Sequence, residues 1–208
     1  MIEVKICGVR DAAAVDAVAE TGAEWVGFNF FPPSPRYVTP AEAAILAARH
    51  PHGPRPIALL VDPKNDDVAA ILDAMPVAAL QIHASAARAA EIHSRFGVPV
   101  WHAVGIAGPA DLPEAAPGIT RLLLDRKAPQ DAELPGGNAQ SFDWSVLKGW
   151  HAPAPWLLAG GLTPDNVADA IRQTGAAAVD VSSGVERARG VKDPALIRAF
   201  VAAVRRAI

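Results

Sequence analysis

Cysteine is almost absent: 208 residues carry one, Cys7. A lone thiol excludes an internal disulfide and a zinc cage of thiolates, so no metal site is expected. Basic residues are not in excess either, with 19 Lys and Arg against 22 Asp and Glu and a formal charge of -3. That balance gives no electrostatic grip on nucleic acid. No apolar run is long enough to cross a bilayer, and Met1-Ile2-Glu3 opens the chain without the basic and apolar regions of an export leader. A cytoplasmic protein without membrane contact is expected.

Apolar residues are plentiful, 51% against 20% charged, enough for one sizeable core and a single domain over 1–208. The chain repeats a short β-rich run, a turn and an Ala-rich amphipathic stretch, beginning with a strand and ending with a helix. Strands are expected at 2–6, 25–30, 56–61, 78–83, 98–104, 121–125, 156–159 and 177–181. Eight units of about 26 residues suit an α/β fold of the (β/α)8 TIM barrel type, near its lower size limit of about 200 residues. A doubly wound sheet is the second arrangement. Its dinucleotide form calls for G-x-G-x-x-G after the first strand, where Cys7-Gly8-Val9-Arg10-Asp11 stands. Asp11 opens a helical stretch to about residue 20. Pro109, Pro113 and Pro117 should leave 109–116 short or irregular.

Residues two apart on a strand share a face. With Val4, Ile6, Leu80, Ile82, Leu122, Leu124, Val179 and Val181 turned to the helices, Lys5, Cys7, Gln81, His83, Asp125, Asp180 and Ser182 point inward. Ligands of parallel α/β folds gather at the carboxyl ends of strands, which is where Cys7 falls. It is a reagent there, or a small buried hydrophobe as most free cysteines are. Asp125 caps the apolar run Leu122-Leu123-Leu124 at the same end of the barrel and makes an acid/base pair with the thiol. Burial would lift its pKa above the ordinary value of about 3.9 and let it donate a proton near neutrality. The alternative for Asp125 is a turn cap.

Two glycine-bearing turns follow the late strands. Gly160 and Gly161 precede Leu162-Thr163-Pro164 and a helix, and Ser182-Ser183-Gly184 follows Val179-Asp180-Val181. Together they read as two halves of a phosphate cradle, since glycine lets main-chain amides approach an anion and helix starts add oriented N–H groups. Phe31-Pro32-Pro33-Ser34-Pro35-Arg36-Tyr37 is a stiff arm whose Arg36 can clamp a carboxylate through two parallel hydrogen bonds, or lie on the surface. The stretch 126–142 is long for a barrel loop and has the length of a lid. Gln81 and His83 border the pocket, with His83 either structural or in contact with substrate.

Taken in order, Lys5-Ile6-Cys7-Gly8, Gly27-Phe28-Asn29-Phe30 with Ser34-Pro35-Arg36, Gln81-Ile82-His83, Leu123-Leu124-Asp125, Phe142-Asp143-Trp144, Leu158-Ala159-Gly160-Gly161-Leu162 and Asp180-Val181-Ser182-Ser183-Gly184-Val185-Glu186 resemble one family nearly end to end. That family is phosphoribosylanthranilate isomerase, cofactor-free and part of tryptophan biosynthesis. The resemblance implies Asp125 as general acid, Cys7 as general base, Arg36 as anchor of the anthranilate carboxylate, and the late turns as holders of the ribose phosphate. It also implies a small phosphosugar-anthranilate substrate, no cofactor, and a monomer. A thiol of ordinary pKa, about 8.5, is mostly protonated at neutrality, so Cys7 should sit in a field that favours thiolate. Lys5 is one source of that field, unless it pairs with Asp180. Two departures stand out: Ala84 where the family usually has glycine, and Gly136-Gly137-Asn138-Ala139 where it usually has Gly-Gly-x-Gly. Altered loop conformation is expected from them, not lost activity. Another phosphosugar barrel enzyme, such as a ribulose-phosphate epimerase or a tryptophan synthase α subunit, would share the phosphate turns but resembles Cys7 and Arg36 less. A thiol redox sensor would need a resolving cysteine, and none is present.

Overall fold

The period-two runs of the sequence become eight parallel strands that close on themselves in chain order. In the computed structural model, which describes residues 1–127 and 141–207, they are β1 (Glu3–Cys7), β2 (Trp25–Asn29), β3 (Arg55–Val61), β4 (Ala79–His83), β5 (Val100–Ile106), β6 (Arg121–Arg126), β7 (Trp156–Leu158) and β8 (Ala178–Val181). Closure comes from β1 pairing with β8, with Lys5 beside Asp180. The fifth strand starts two residues later than its β-branched run suggests. Pro99 has no N–H for the ladder, and the strand runs on until Gly105 stands beside Asp125.

Among the described residues six α-helices pack outside: α1 (Ala12–Glu20), α2 (Pro40–Ala47), α3 (Asn65–Ala74), α4 (Ala86–Phe96), α5 (Val167–Thr174) and α6 (Pro194–Arg206). Their starts are written in the sequence. Asp11 caps α1 by accepting from the Ala14 amide at 2.9 Å, Thr39 and Glu42 form a reciprocal box ahead of Pro40, and Asp193 caps α6. After β5 the prolines leave only a 3-10 turn, Pro109–Asp111, and after β6 another stands at Trp144–Leu147. The lid expected within 126–142, with Asn138 and Ala139, falls largely outside the described residues.

The inward and outward faces divide as strand alternation requires. Val4, Ile6, Leu80, Ile82, Leu122, Leu124, Val179 and Val181 are buried in the layer between sheet and helices. Inside the barrel a second cluster holds Trp25, Ile57, Ala79, Trp101, Leu123, Leu157, Ala159 and Ala178. Trp25 and Trp101 meet edge to face at 4.9 Å near the amino ends of the strands, and the Arg121 guanidinium lies over both rings while pairing with Glu3 at 2.7 Å. The floor of the barrel is therefore filled, and polar residues of the interior collect at the opposite mouth. Among the described residues no helix is long and apolar enough to cross a membrane.

Candidate active site

Cys7 is the last residue of β1, buried, with Gly27 of the neighbouring strand beneath it. A Cβ on Gly27 would come within 3.1 Å of the thiol sulfur and of Lys5 Cε, so glycine is what makes room for both side chains. Lys5 is fully buried one turn of the pleat below and donates to Asp180 Oδ1 at 2.9 Å. Lys5 takes both roles open to it, pairing with Asp180 while its charge also acts on Cys7. Burial works against the Lys5 ammonium, but Asp180 and Cys7 together outweigh it and the lysine pKa rises.

The thiolate-favouring field expected around Cys7 is not the net result. Burial pushes the thiol pKa up, Asp180 adds to that, and the ammonium groups of Lys5 and Lys192 only partly counter it. At neutral pH Cys7 is therefore held as a thiol. Asp125 behaves as the sequence suggests. Burial lifts its pKa to about 7, with Asp180 pushing the same way, although the Arg126 amide donates to its Oδ1 at 2.7 Å. A carboxylic acid with that pKa is half protonated at neutrality, which suits a proton donor.

The two late turns meet around this carboxyl group. Asp125, Gly160, Gly161, Asp180, Ser182 and Ser183 line one cleft at the ends of β6, β7 and β8. Gly160 has φ +85°, and a Cβ there would strike Asp125 Oδ1 and the Arg126 amide at 2.9 and 2.8 Å. Gly184 is still tighter: its Cβ would lie 1.8 Å from the Leu162 carbonyl oxygen, so the turns interlock. Asn166 pins the first by accepting from the Thr163 amide and donating to the Gly161 carbonyl. The amides of Gly160, Gly161 and Ser183 donate to nothing among the described residues. Such free N–H groups on a glycine-rich turn are an anion cradle.

The proline arm is pinned by more than proline. Asn29 accepts from the Phe31 amide and donates to Ser34 Oγ, which accepts in turn from the Arg36 amide. The Arg36 stem lies against Gly8, next to the thiol, and its guanidinium is buried. One edge is already used: Nε and Nη2 donate to the two carboxylate oxygens of Glu186 at 2.7 and 3.0 Å. Only the terminal edge remains to meet a ligand. Glu186 and its second partner, Lys192, are functional candidates that sequence reasoning missed. Glu186 stood in a quoted motif without a role, and nothing in the sequence marks Lys192 as buried.

Gln81 and His83 point into the same mouth from β4, with Gln81 Nε2 3.0 Å from His83 Nε2. Burial, with Lys5 and His102 adding to it, lowers the His83 pKa to about 4, so the ring is neutral. Gln81 Oε1 is buried without a hydrogen-bond partner among the described residues, a place for a donor from a ligand. Among the described residues no group of three or more His, Cys, Asp or Glu is placed to hold a metal ion.

Comparison with known proteins agrees in fold and sequence. The family model for N-(5'-phosphoribosyl)anthranilate (PRA) isomerase matches residues 4–203. An N-(5'-phosphoribosyl)anthranilate isomerase of Granulibacter bethesdensis is 53% identical over 206 residues, covering 99% of both chains. The crystal structure of phosphoribosyl anthranilate isomerase from Thermotoga maritima superposes with a TM-score of 0.86 at 31% identity, again over 99% of both chains. Another such isomerase, in complex with reduced 1-(o-carboxyphenylamino)-1-deoxyribulose 5-phosphate, gives 0.83 at 29% identity over 99% of both chains.

Proposed function

This chain belongs to the N-(5'-phosphoribosyl)anthranilate isomerase family, and from that premise we propose how its own residues carry the reaction. The reaction is the Amadori rearrangement of N-(5-phosphoribosyl)anthranilate to 1-(2-carboxyphenylamino)-1-deoxyribulose 5-phosphate in tryptophan biosynthesis. Asp125 protonates the furanose ring oxygen and the ring opens to an iminium. Cys7, as thiolate, removes the proton from the second sugar carbon, and the enolamine tautomerises to the ketone. One proton leaves Asp125 and one arrives at Cys7, so no external acid or base is consumed.

The proton states fit this cycle. Turnover leaves Asp125 ionised and Cys7 protonated: burial favours the neutral thiol, and it favours return of a proton to the Asp125 carboxylate. Resetting requires one proton to pass back from thiol to carboxylate. The iminium adds a positive charge beside the sulfur at the moment the thiolate is needed, the direction that lowers a thiol pKa. Free amides of Gly160, Gly161 and Ser183, with Ser182 and Gly184, hold the phosphate. The terminal edge of Arg36 takes the anthranilate carboxylate, and Gln81 Oε1 accepts from a sugar hydroxyl with His83 beside it.

The observation that carries the reading is a carboxyl group with pKa about 7 at the same barrel mouth as the chain's sole thiol. The test is the fluorescence decay of phosphoribosylanthranilate with Cys7→Ser and Asp125→Asn. Each is expected to lower kcat by about 10²- to 10⁴-fold with circular dichroism unchanged. Near-normal turnover in either variant removes that residue from its role.

A further inference from the structure

We propose that Glu186 is a positioning residue for Arg36, held in place by Lys192, and that this buried trio selects substrate by its carboxylate. The inference rests on the reading of Arg36 as carboxylate anchor. A guanidinium offers five N–H donors in one plane, and its usefulness depends on which edge is free. Glu186 takes Nε and one hydrogen of Nη2, while Nη1 has no partner among the described residues. The plane is thereby fixed with its terminal edge unpaired.

Glu186 is itself locked. Its Oε1 also accepts from Lys192 Nζ at 2.8 Å, and its Oε2 from the Gly190 amide at 3.0 Å. The side chains of Arg36, Glu186 and Lys192 are 6%, 5% and 0% exposed, so water does not complete their hydrogen bonding. Two cations face one anion, which leaves one positive charge over. A substrate carboxylate cancels it, whereas a ligand without one leaves buried donors and a buried charge unmatched. Lys192 Nζ also donates to the Ser182 carbonyl at 2.8 Å and its hydroxyl at 3.2 Å. The carboxylate anchor and the phosphate turn are thus fixed to one another through a single ammonium group.

The test compares N-(5-phosphoribosyl)anthranilate with N-(5-phosphoribosyl)aniline, which lacks the carboxylate. Glu186→Gln is expected to raise KM for the anthranilate about tenfold, the equivalent of one charge-assisted hydrogen bond, and to leave the aniline KM unmoved. Adding Glu186→Gln to Arg36→Ala should change nothing further, because the first residue acts only through the second. If Glu186→Gln does not fold, Glu186→Asp keeps the charge one methylene short and should raise the anthranilate KM about threefold. Equal effects on both substrates, a loss confined to kcat, or additive effects in the double variant would overturn the inference. Should Arg36→Ala distinguish the two substrates while neither Glu186 variant does, the inference fails and the anchor stands. If Arg36→Ala does not distinguish them, the anchor itself is wrong.

Discussion

At neutral pH Cys7 is held as a thiol and Asp125 is about half protonated, whereas the proton transfers need the thiol ionised and the carboxyl protonated. The productive form is therefore a minority form of the pair. Its population grows with pH until Asp125 titrates, stays level until Cys7 titrates, and falls beyond that. We expect kcat/KM to climb to a limb near pH 7, hold, and drop above the ordinary thiol value of about 8.5. Because Cys7 is the only cysteine, thiolate absorbance reports it alone. A step at or below that ordinary value in the free enzyme would show the assigned burial effect to be wrong. The positions of both groups could be read from strand alternation and strand ends. The raised pKa of Asp125 could be read as well, but that of Cys7 could not, because the sequence does not show how far burial and Asp180 outweigh Lys5 and Lys192 at the thiol.

The arm 31–37 and the hairpin after β8 are separate in the chain and joined in the site. The hairpin pairs β9 (Glu186–Ala188) with β10 (Val191–Lys192), and nothing in two such short, charged segments has the alternation that announces a strand. Its effect is to carry Glu186 and Lys192 up to Arg36. Gly190 makes the contact possible: it has φ +79°, and a Cβ there would come within 2.6 Å of the Pro35 carbonyl oxygen. Gly97, at φ +66° with open space around it, is the natural control. Gly190→Ala should cost about 2–3 kcal/mol in urea unfolding and raise KM, against about 1 kcal/mol and no kinetic change for Gly97→Ala. Equal costs would mean that hairpin and arm do not press on each other. By contrast, the strands and the start of α1 at Asp11 were legible, because caps and apolar periods act locally. The missing α-helix after β5 was legible too, since prolines also act locally.

The barrel as a whole is closed at one end and chemically active at the other. Trp25, Trp101 and Arg121 fill the floor, and Arg205 of α6 reaches the Gly22 carbonyl and Glu24, tying the last helix to the β1–β2 connection. Trp101→Ala should destabilise by about 3–5 kcal/mol and leave KM unchanged, since the ring packs with Trp25 in the floor cluster. A matching change in KM, measured well below the unfolding temperature, would show that floor and mouth are coupled. The close fit of Gly184 against the Leu162 carbonyl has a consequence for recombination. The last two βα turns each fill space that the other leaves, so they form one heritable block. A chimaera of two barrels cut between β7 and β8 would bring together turns that were never fitted to each other, while a cut ahead of β7 would carry the phosphate cradle over intact.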